Sequence, residues 1–197
     1  MSTFYLVRHG CNDYLGRGLA GRLPKVHLNE QGKLEAERMA HLLAKKGIQQ
    51  IFSSPLERAS ETAAPLARVL NLPVQIAPEF HEIDFGDWTG RSMEELNGLA
   101  EWKSFNSVRS ITRIPNGELV LEAQARFVRK LEELRRRFPQ EVIAVFSHAD
   151  PIKTALAYYL GVPLDLLTRI EIDPGSYSAL QLNAWAPQVL AVNVKPE

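Results

Sequence analysis

Two histidines and two arginines in this chain stand where chemistry could be done. Arg8-His9-Gly10 follows one short apolar run, Arg58 follows Ser54-Pro55-Leu56-Glu57, and Ser147-His148 ends a second apolar run. Arginine offers a planar, permanently charged fork that binds phosphate oxygens two at a time. A neutral imidazole, with an ordinary pKa of about 6.5, can attack phosphorus without first losing a proton if nearby cations spread the charge on the equatorial oxygens. The set therefore suits phosphoryl transfer, with His9 as the attacker and His148 as a further cation. An alcohol leaving group also needs a proton, so a carboxylic acid of raised pKa should stand close by. Glu82, between His81 and the Phe85-Gly86 turn, is the candidate, and Asp84 and Asp87 on the same loop compete with it.

These residues need elements to hold them. Thr3 to Val7 is β-branched, aromatic and apolar, as a buried strand would be, and it hands Arg8 and His9 to the loop beyond its end. After a glycine-rich stretch, Gly16 to Gly21, Asn29 caps a helix reading EQGKLEAERMAHLLAKKG. Leu34, Met39, Leu42 and Leu43 form its apolar stripe, Gly47 stops it, and His41 falls on its surface. A short strand, Gln50 to Ser53, runs into a helix with Ser54 as N-cap, Pro55 at the first helical position and Glu57 closing a capping box, which puts Arg58 in the first turn. Next come a short strand at Val74 to Ile76, the loop HEIDFGDWTG, and a charged helix from near Glu118 to Phe138, closed by Pro139, whose run Glu132 to Arg137 reads as a solvated face. The apolar strand Val142 to Phe146 then meets a helix capped by Asp150 with Pro151 at its first position. Two or three more strands are expected near Thr168 to Ile172, Ser178 to Leu182 and Val189 to Val194, with turns at Asp173-Pro174-Gly175 and Ala186-Pro187. Alternating strands and helices imply an α/β fold, a three-layer sandwich with a mostly parallel mixed sheet and an antiparallel edge. In such sheets ligands bind beyond the carboxyl ends of the strands.

At 197 residues the chain can bury a full core as one domain, 1–197, without a disulfide or a structural metal. Its 23 basic and 23 acidic residues cancel, which argues against binding nucleic acid or a membrane surface through a broad basic face. Any anion site must then be a local cluster. The lone Cys11 leaves no intrachain disulfide, and MSTFYLVRHG has neither the basic nor the long apolar region of a signal peptide, so a cytoplasmic protein is expected. No apolar run approaches the roughly 20 residues that span a bilayer. With no His-Glu-x-x-His, no paired Asp-x-Asp after a strand and no cysteine cluster, no metal or other cofactor is expected. The expected partner is a small phosphorylated substrate, and a homodimer stays open.

The stretch Leu-Val-Arg8-His9-Gly, the run Ser-Ser-Pro-Leu-Glu-Arg58-Ala with Glu61-Thr62-Ala63 after it, the HEIDFGDWTG loop and the late Phe-Ser-His148-Ala-Asp together resemble the histidine phosphatase superfamily, also called the phosphoglycerate mutase-like family. The resemblance runs over nearly the whole chain in the family's order. It implies that His9 is phosphorylated in the intermediate, that Arg8, Arg58 and His148 complete the phosphate pocket, and that Glu82 is the proton donor. It implies no metal and a mostly parallel sheet flanked by helices. Taken alone, Arg58 reads equally as a helix-surface arginine and His148 as a satisfied core histidine; four motifs in order favour the site. His27 and His81 read as structural.

The sequence departs from the family at Leu15, where members often carry an asparagine six residues after the nucleophile; Asn12 or a backbone amide near Gly21 is expected to substitute. It departs again at Ala149-Asp150, where the family often has glycine and a neutral or variable residue. Ala149, with Asn12 and Gly21, is expected to touch substrate, and Asp150 reads as a helix cap or as a charge that disfavours a second phosphate. Recognition of the rest of the substrate falls to the loops Gly16 to Val26 and Asn97 to Asn116, the latter with Trp102, Phe105, Arg109 and Arg113.

Rival readings stay open. Cys11 and Arg17 stand in the Cys-x5-Arg spacing of a cysteine-dependent phosphatase, although Asn-Asp-Tyr-Leu-Gly between them is bulky and acidic for a loop that must wrap amides around phosphate. A mutase would move phosphate within a substrate, but such members usually carry longer insertions. A phospho-ligand binder without turnover would have the pocket alone.

Overall fold

A computed structural model describes residues 1–183 and 185–196. Its strands are β1 (Ser2–Arg8), β2 (Gln50–Ser53), β3 (Val74–Ile76), β4 (Val142–Ser147), β5 (Tyr177–Leu182) and β6 (Gln188–Val194). Its α-helices are α1 (Glu30–Leu43), α2 (Glu57–Leu70), α3 (Met93–Asn97), α4 (Ala100–Ser107), α5 (Val120–Arg137) and α6 (Ala149–Leu160). Successive residues of β1 face opposite ways, and both faces are apolar: Phe4 and Leu6 enter one core and Val7 the other. A strand buried on both faces belongs inside a sheet. β1 accordingly pairs in parallel with β4 and antiparallel with β5, and the order is β3-β2-β4-β1-β5-β6, with β3, β2, β4 and β1 parallel. β6 pairs antiparallel to β5. The mixed sheet with an antiparallel edge is thus present.

Helices cover both faces. Met39 and Leu43 of α1 and Ala63 and Leu66 of α2 pack on Val7, Ile51 and Phe146. On the other face Phe127 and Leu131 of α5 and Ile152 and Leu156 of α6 pack on Phe4, Leu6, Val145 and Leu180. A third cluster, Phe85, Trp88, Trp102 and Phe105 with Leu164 and Leu167, gathers the segment after β3. Among the described residues no helix is long and apolar enough to cross a membrane.

Several local expectations need correction. Asn29 caps α1 as expected, accepting from Gly32 N at 2.9 Å, but the buried stripe is Gly32, Ala36, Met39, Ala40 and Leu43. Leu34 is exposed and Leu42 only half-buried, because the small residues let α1 lie close to its neighbours. α2 begins at Glu57 with extended Leu56 before it, so Ser54 and Pro55 precede the helix and Ser54 is not its cap. α6 begins at Ala149 with His148 at the N-cap position, so Asp150 lies inside the first turn. The segment expected as a strand from Thr168 to Ile172 is instead the end of a 3-10 helix, Leu164–Arg169, and an unpaired stretch after it.

The loop leaving β1 presses on the start of α1. A Cβ added to Gly10 would lie 2.5 Å from the Gly32 carbonyl oxygen, and one on Gly32 would overlap the Cys11 carbonyl. Backbone cannot move aside as a flexible side chain can. Gly32→Ala is therefore expected to lower the unfolding free energy by about 1–3 kcal/mol, the usual cost of overpacking. An unchanged denaturant midpoint would mean that the two segments yield freely.

Candidate active site

Four segments converge beyond the carboxyl ends of the parallel strands. β1 delivers Arg8 and His9, β4 delivers Ser147 and His148, the first turn of α2 delivers Arg58, and the unpaired loop 81–85 delivers Glu82. The His9 N–H donates to the Ser147 carbonyl at 3.0 Å, which locks the two strand ends together. The His9 and His148 rings stand 5.1 Å apart, edge to face.

The orientation of His9 follows from its neighbours. Its Nδ1 lies 2.8 Å from the Gly10 carbonyl, which can only accept, so Nδ1 carries the proton. Arg58 Nε donates to His9 Nε2 at 3.3 Å, so Nε2 presents a lone pair. Burial, then the Arg58 and Arg8 charges, hold His9 well below the usual histidine pKa. These neighbours favour the neutral ring, with its Nε2 lone pair set among cations.

Arg58 is 1% exposed, which excludes the reading of it as a helix-surface residue. Its Nη2 donates to the Gly21 carbonyl at 2.7 Å, and its own carbonyl accepts from Thr62 Oγ1 at 2.7 Å. That same hydroxyl accepts from Gly10 N at 3.1 Å, tying the helix to the nucleophile loop. Arg8 Nη1 donates to the Ile172 carbonyl at 2.6 Å. Arg8 Nε and Arg58 Nη1 are buried with no partner among the described residues. Two unsatisfied guanidinium donors in one site are costly to desolvate and call for an anion.

His148 is fully buried. Its Nε2 lies 2.8 Å from Ser54 Oγ, which also accepts from Leu56 N at 3.3 Å, while its Nδ1 has no partner and lies 4.0 Å from Glu82 Oε2. Burial, then Arg58 and His9, push its pKa well below the ordinary value. This direction runs against the expected cation and favours the neutral ring, which, with Ser54 donating to Nε2, would offer Nδ1–H as a hydrogen-bond donor. Ser54, expected only as a helix cap, has this role instead.

Glu82 is the buried acid of the site. Burial first, then the charge of Asp150, push its carboxyl up to about 7. Asp84 and Asp87 are committed elsewhere: Asp84 pairs with Arg22 at 3.3 Å, and Asp87 accepts from Asn116 at 3.0 Å.

The cavity at this meeting point holds about 180 Å³ and is lined by Arg8, His9, Asn12, Arg58 and Glu82, with Ala149, Asp150 and Gly21 at its rim. Leu15, Leu19 and Phe85 add apolar wall. Asn12 Oδ1 accepts from Tyr14 N at 3.0 Å, which leaves its amide NH2 for a ligand. Gly21 meets Arg58 through its carbonyl rather than its amide. The Asn97 to Asn116 segment does not reach the cavity as expected: Trp102 and Phe105 are buried in the aromatic cluster, Arg109 is paired with Asp150 at 3.1 Å, and Arg113 with Glu122 at 2.7 Å. A larger groove of about 480 Å³ lies between α1 and α2, lined by His27, Lys33, Glu61 and Arg68, away from these groups. His27 and His41 are exposed, and His81, half-buried, is lowered to about 4 by burial and then by Arg22 and Arg126.

Cys11 cannot serve as the thiolate of the rival reading. Its Sγ–H donates to Glu35 Oε1 at 3.2 Å and its N–H to Glu35 Oε2 at 2.8 Å; burial, then that carboxylate, push the thiol up to about 11. A protonated thiol whose amide is already used lacks what a cysteine loop needs.

Fold and cavity together define an α/β protein with a cationic cavity, suited to an oxyanion, at the ends of its parallel strands. The family model "Histidine phosphatase superfamily (branch 1)" matches residues 4–195. Phosphoserine phosphatase 1 of Hydrogenobacter thermophilus is 29% identical over 98% of this chain and 93% of that protein. Adenosylcobalamin/alpha-ribazole phosphatase of Escherichia coli is 27% identical over 91% of this chain and 89% of that protein. The solved structure of YhfR from Bacillus stearothermophilus shares the fold, with a TM-score of 0.91, 24% identity, and coverage of 97% of this chain and 96% of that one. The chain belongs to the histidine phosphatase superfamily, and it is a phosphoric monoester hydrolase.

Proposed function

We propose that this chain hydrolyses a small phosphate monoester through a phosphohistidine on His9. The observation that carries this is the His9 ring itself: Nδ1–H fixed on the Gly10 carbonyl, the Nε2 lone pair turned into the cavity toward Arg58 Nε, and Arg8 lining the same cavity. Nε2 attacks phosphorus as the ester P–O bond breaks, and the leaving oxygen takes the proton of Glu82. Arg8, Arg58 and the His148 Nδ1–H hold the three equatorial oxygens, worth most in a buried site. The Glu82 carboxylate then removes a proton from water, which attacks phosphorus, breaks the P–N bond and restores His9. No step needs a metal, so activity is expected to survive a chelator unchanged; a large loss reversed by added metal would overturn the scheme.

The cavity volume and its apolar wall favour a compact leaving group. Asp150 adds negative charge at the rim, partly offset by Arg109, which disfavours a second phosphate and supports hydrolysis over mutase transfer. The relatives named for phosphoserine and alpha-ribazole phosphate chemistry make small alcohol phosphates the first class to try. A panel of phosphorylated amino acids, nucleosides, sugars and glycerates, read by phosphate release, tests this. Release from compact monoesters with a single phosphate is expected; binding without release would identify a non-catalytic binder.

Asp150 also offers a check on Glu82. Removing a negative neighbour favours ionisation, so Asp150→Asn should lower the Glu82 pKa and move the alkaline limb of the kcat profile to lower pH. The variant takes a charged partner from the buried Arg109 but leaves it Asn106 and an amide oxygen, so destabilisation of about 1–2 kcal/mol is expected alongside. A limb that stays in place or moves upward would separate Asp150 from the acid.

A further inference from the structure

The loop that carries Glu82 has no helix or strand to hold it, and side chains take three of its backbone carbonyls instead. Arg126 of α5 donates from Nη1 to the Glu79 carbonyl at 2.6 Å and the His81 carbonyl at 2.9 Å, and from Nη2 to the Glu82 carbonyl at 3.0 Å. Arg22, from the opposite side of the sequence, donates from Nε to the same Glu82 carbonyl at 2.9 Å. Glu118 locks the pair: its Oε1 accepts from Arg126 Nη2 at 2.7 Å, from Arg22 Nη2 at 3.1 Å and from Asp84 N at 2.9 Å. Arg126 and Glu118 are each 15% exposed and Arg22 31%, so the clamp is mostly shielded from water.

The Glu82 carbonyl belongs to the peptide that links Glu82 to Ile83, and a peptide is planar. With its oxygen fixed by two guanidinium groups, its N–H has one direction left. That N–H, of Ile83, donates to Glu82 Oε1 at 2.9 Å. The carbonyl oxygen of a carboxylic acid is the better acceptor, so the Ile83 N–H selects Oε1 for that part and favours the proton on Oε2, the oxygen 4.0 Å from His148 Nδ1. We infer that Arg126, with Arg22 and Glu118, is a positioning residue for proton donation: by clamping the Glu82–Ile83 peptide it decides which carboxyl oxygen faces the reacting phosphate. This rests on Glu82 being the acid. Outer groups of this kind, which orient a group that touches the substrate, commonly matter by one or two powers of ten.

The test is the leaving-group dependence of rate in Arg126→Gln, Arg126→Lys and Glu82→Gln, and in the double variant Glu82→Gln with Arg126→Gln. Phosphoserine and p-nitrophenyl phosphate serve as substrates, since the alkoxide needs a proton and the nitrophenolate does not. Arg126→Gln should slow phosphoserine by about 10- to 100-fold and the nitrophenyl ester by less than about 3-fold, with Arg126→Lys between it and the parent. In the double variant the phosphoserine rate should match Glu82→Gln alone, because a misplaced acid and an absent one are the same loss. Equal losses on both esters for Arg126→Gln, or multiplication of the two losses in the double variant, would show a scaffold role only and overturn the inference. If Glu82→Gln itself slows both esters alike, it is the acid assignment that fails. Should Arg126→Gln not fold, Arg22→Lys, at the more exposed end of the clamp, takes its place under the same criteria.

Discussion

Replacing His9 with alanine is expected to end turnover, with kcat falling on the order of 10⁴-fold or more, as when a nucleophile is removed. The size of the effect follows from what no neighbour can supply. His148 is also buried, but its Nε2 is engaged with Ser54 and its Nδ1 faces Glu82, so it cannot take over the attack. Asn12 and the arginines have no nucleophilic atom. In the parent protein, acid-labile and alkali-stable phosphate should appear on the chain in a rapidly quenched reaction, as a phosphoramidate requires, and it should be missing from His9→Ala. Substrate should still bind, since Arg8 and Arg58 keep their unpaired donors. An alanine variant with full activity, or phosphate captured on another residue, would end the phosphohistidine scheme.

Glu82→Gln should divide substrates rather than silence them. Glutamine keeps the shape and can still accept from Ile83 N, but it has no proton to give. An alkyl phosphate should slow by about 10² to 10⁴, the worth of a positioned acid, and p-nitrophenyl phosphate far less. The pH dependence has a definite sign. Burial and Asp150 raise Glu82 to about 7, so the acid form dominates below that pH and is lost above it, and kcat for an alkyl phosphate should fall on the alkaline side. That fall should flatten in the glutamine variant. Equal losses on both esters, or a selective loss in Asp84→Asn or Asp87→Asn, would move the role elsewhere on the loop.

Much of this site was legible in the sequence because strands with both faces buried leave an unmistakable apolar run and end at a polar residue. Thr3 to Val7 and Val142 to Phe146 are such runs, and His9 and His148 stand two positions past their ends. What stayed hidden was anything decided by a distant partner. Thr168 to Ile172 has the β-branched look of a strand, yet Leu164 and Leu167 turn into the third core from a 3-10 helix, and the Ile172 carbonyl is taken by Arg8 rather than by a neighbouring strand. Ser54 follows the helix-cap pattern but is claimed by His148, 94 positions away. Trp102 and Phe105 look like ligand-binding aromatics and are core. Arg22 and Arg126 carry no local signal, since the carboxylates they pair with read as ordinary surface charges and their other partners are carbonyl groups, which every residue has.

The three tryptophans divide the protein's fluorescence into two unequal reporters. Trp185 is 95% exposed and emits as an indole in water, indifferent to events elsewhere. Trp88 and Trp102 lie edge to face at 5.3 Å in a dry cluster that also contains Phe85, and Phe85 is part of the cavity wall. The blue part of the emission is therefore expected to follow the substrate cavity through Phe85 and then Phe105, while the red part serves as the background against which it is read.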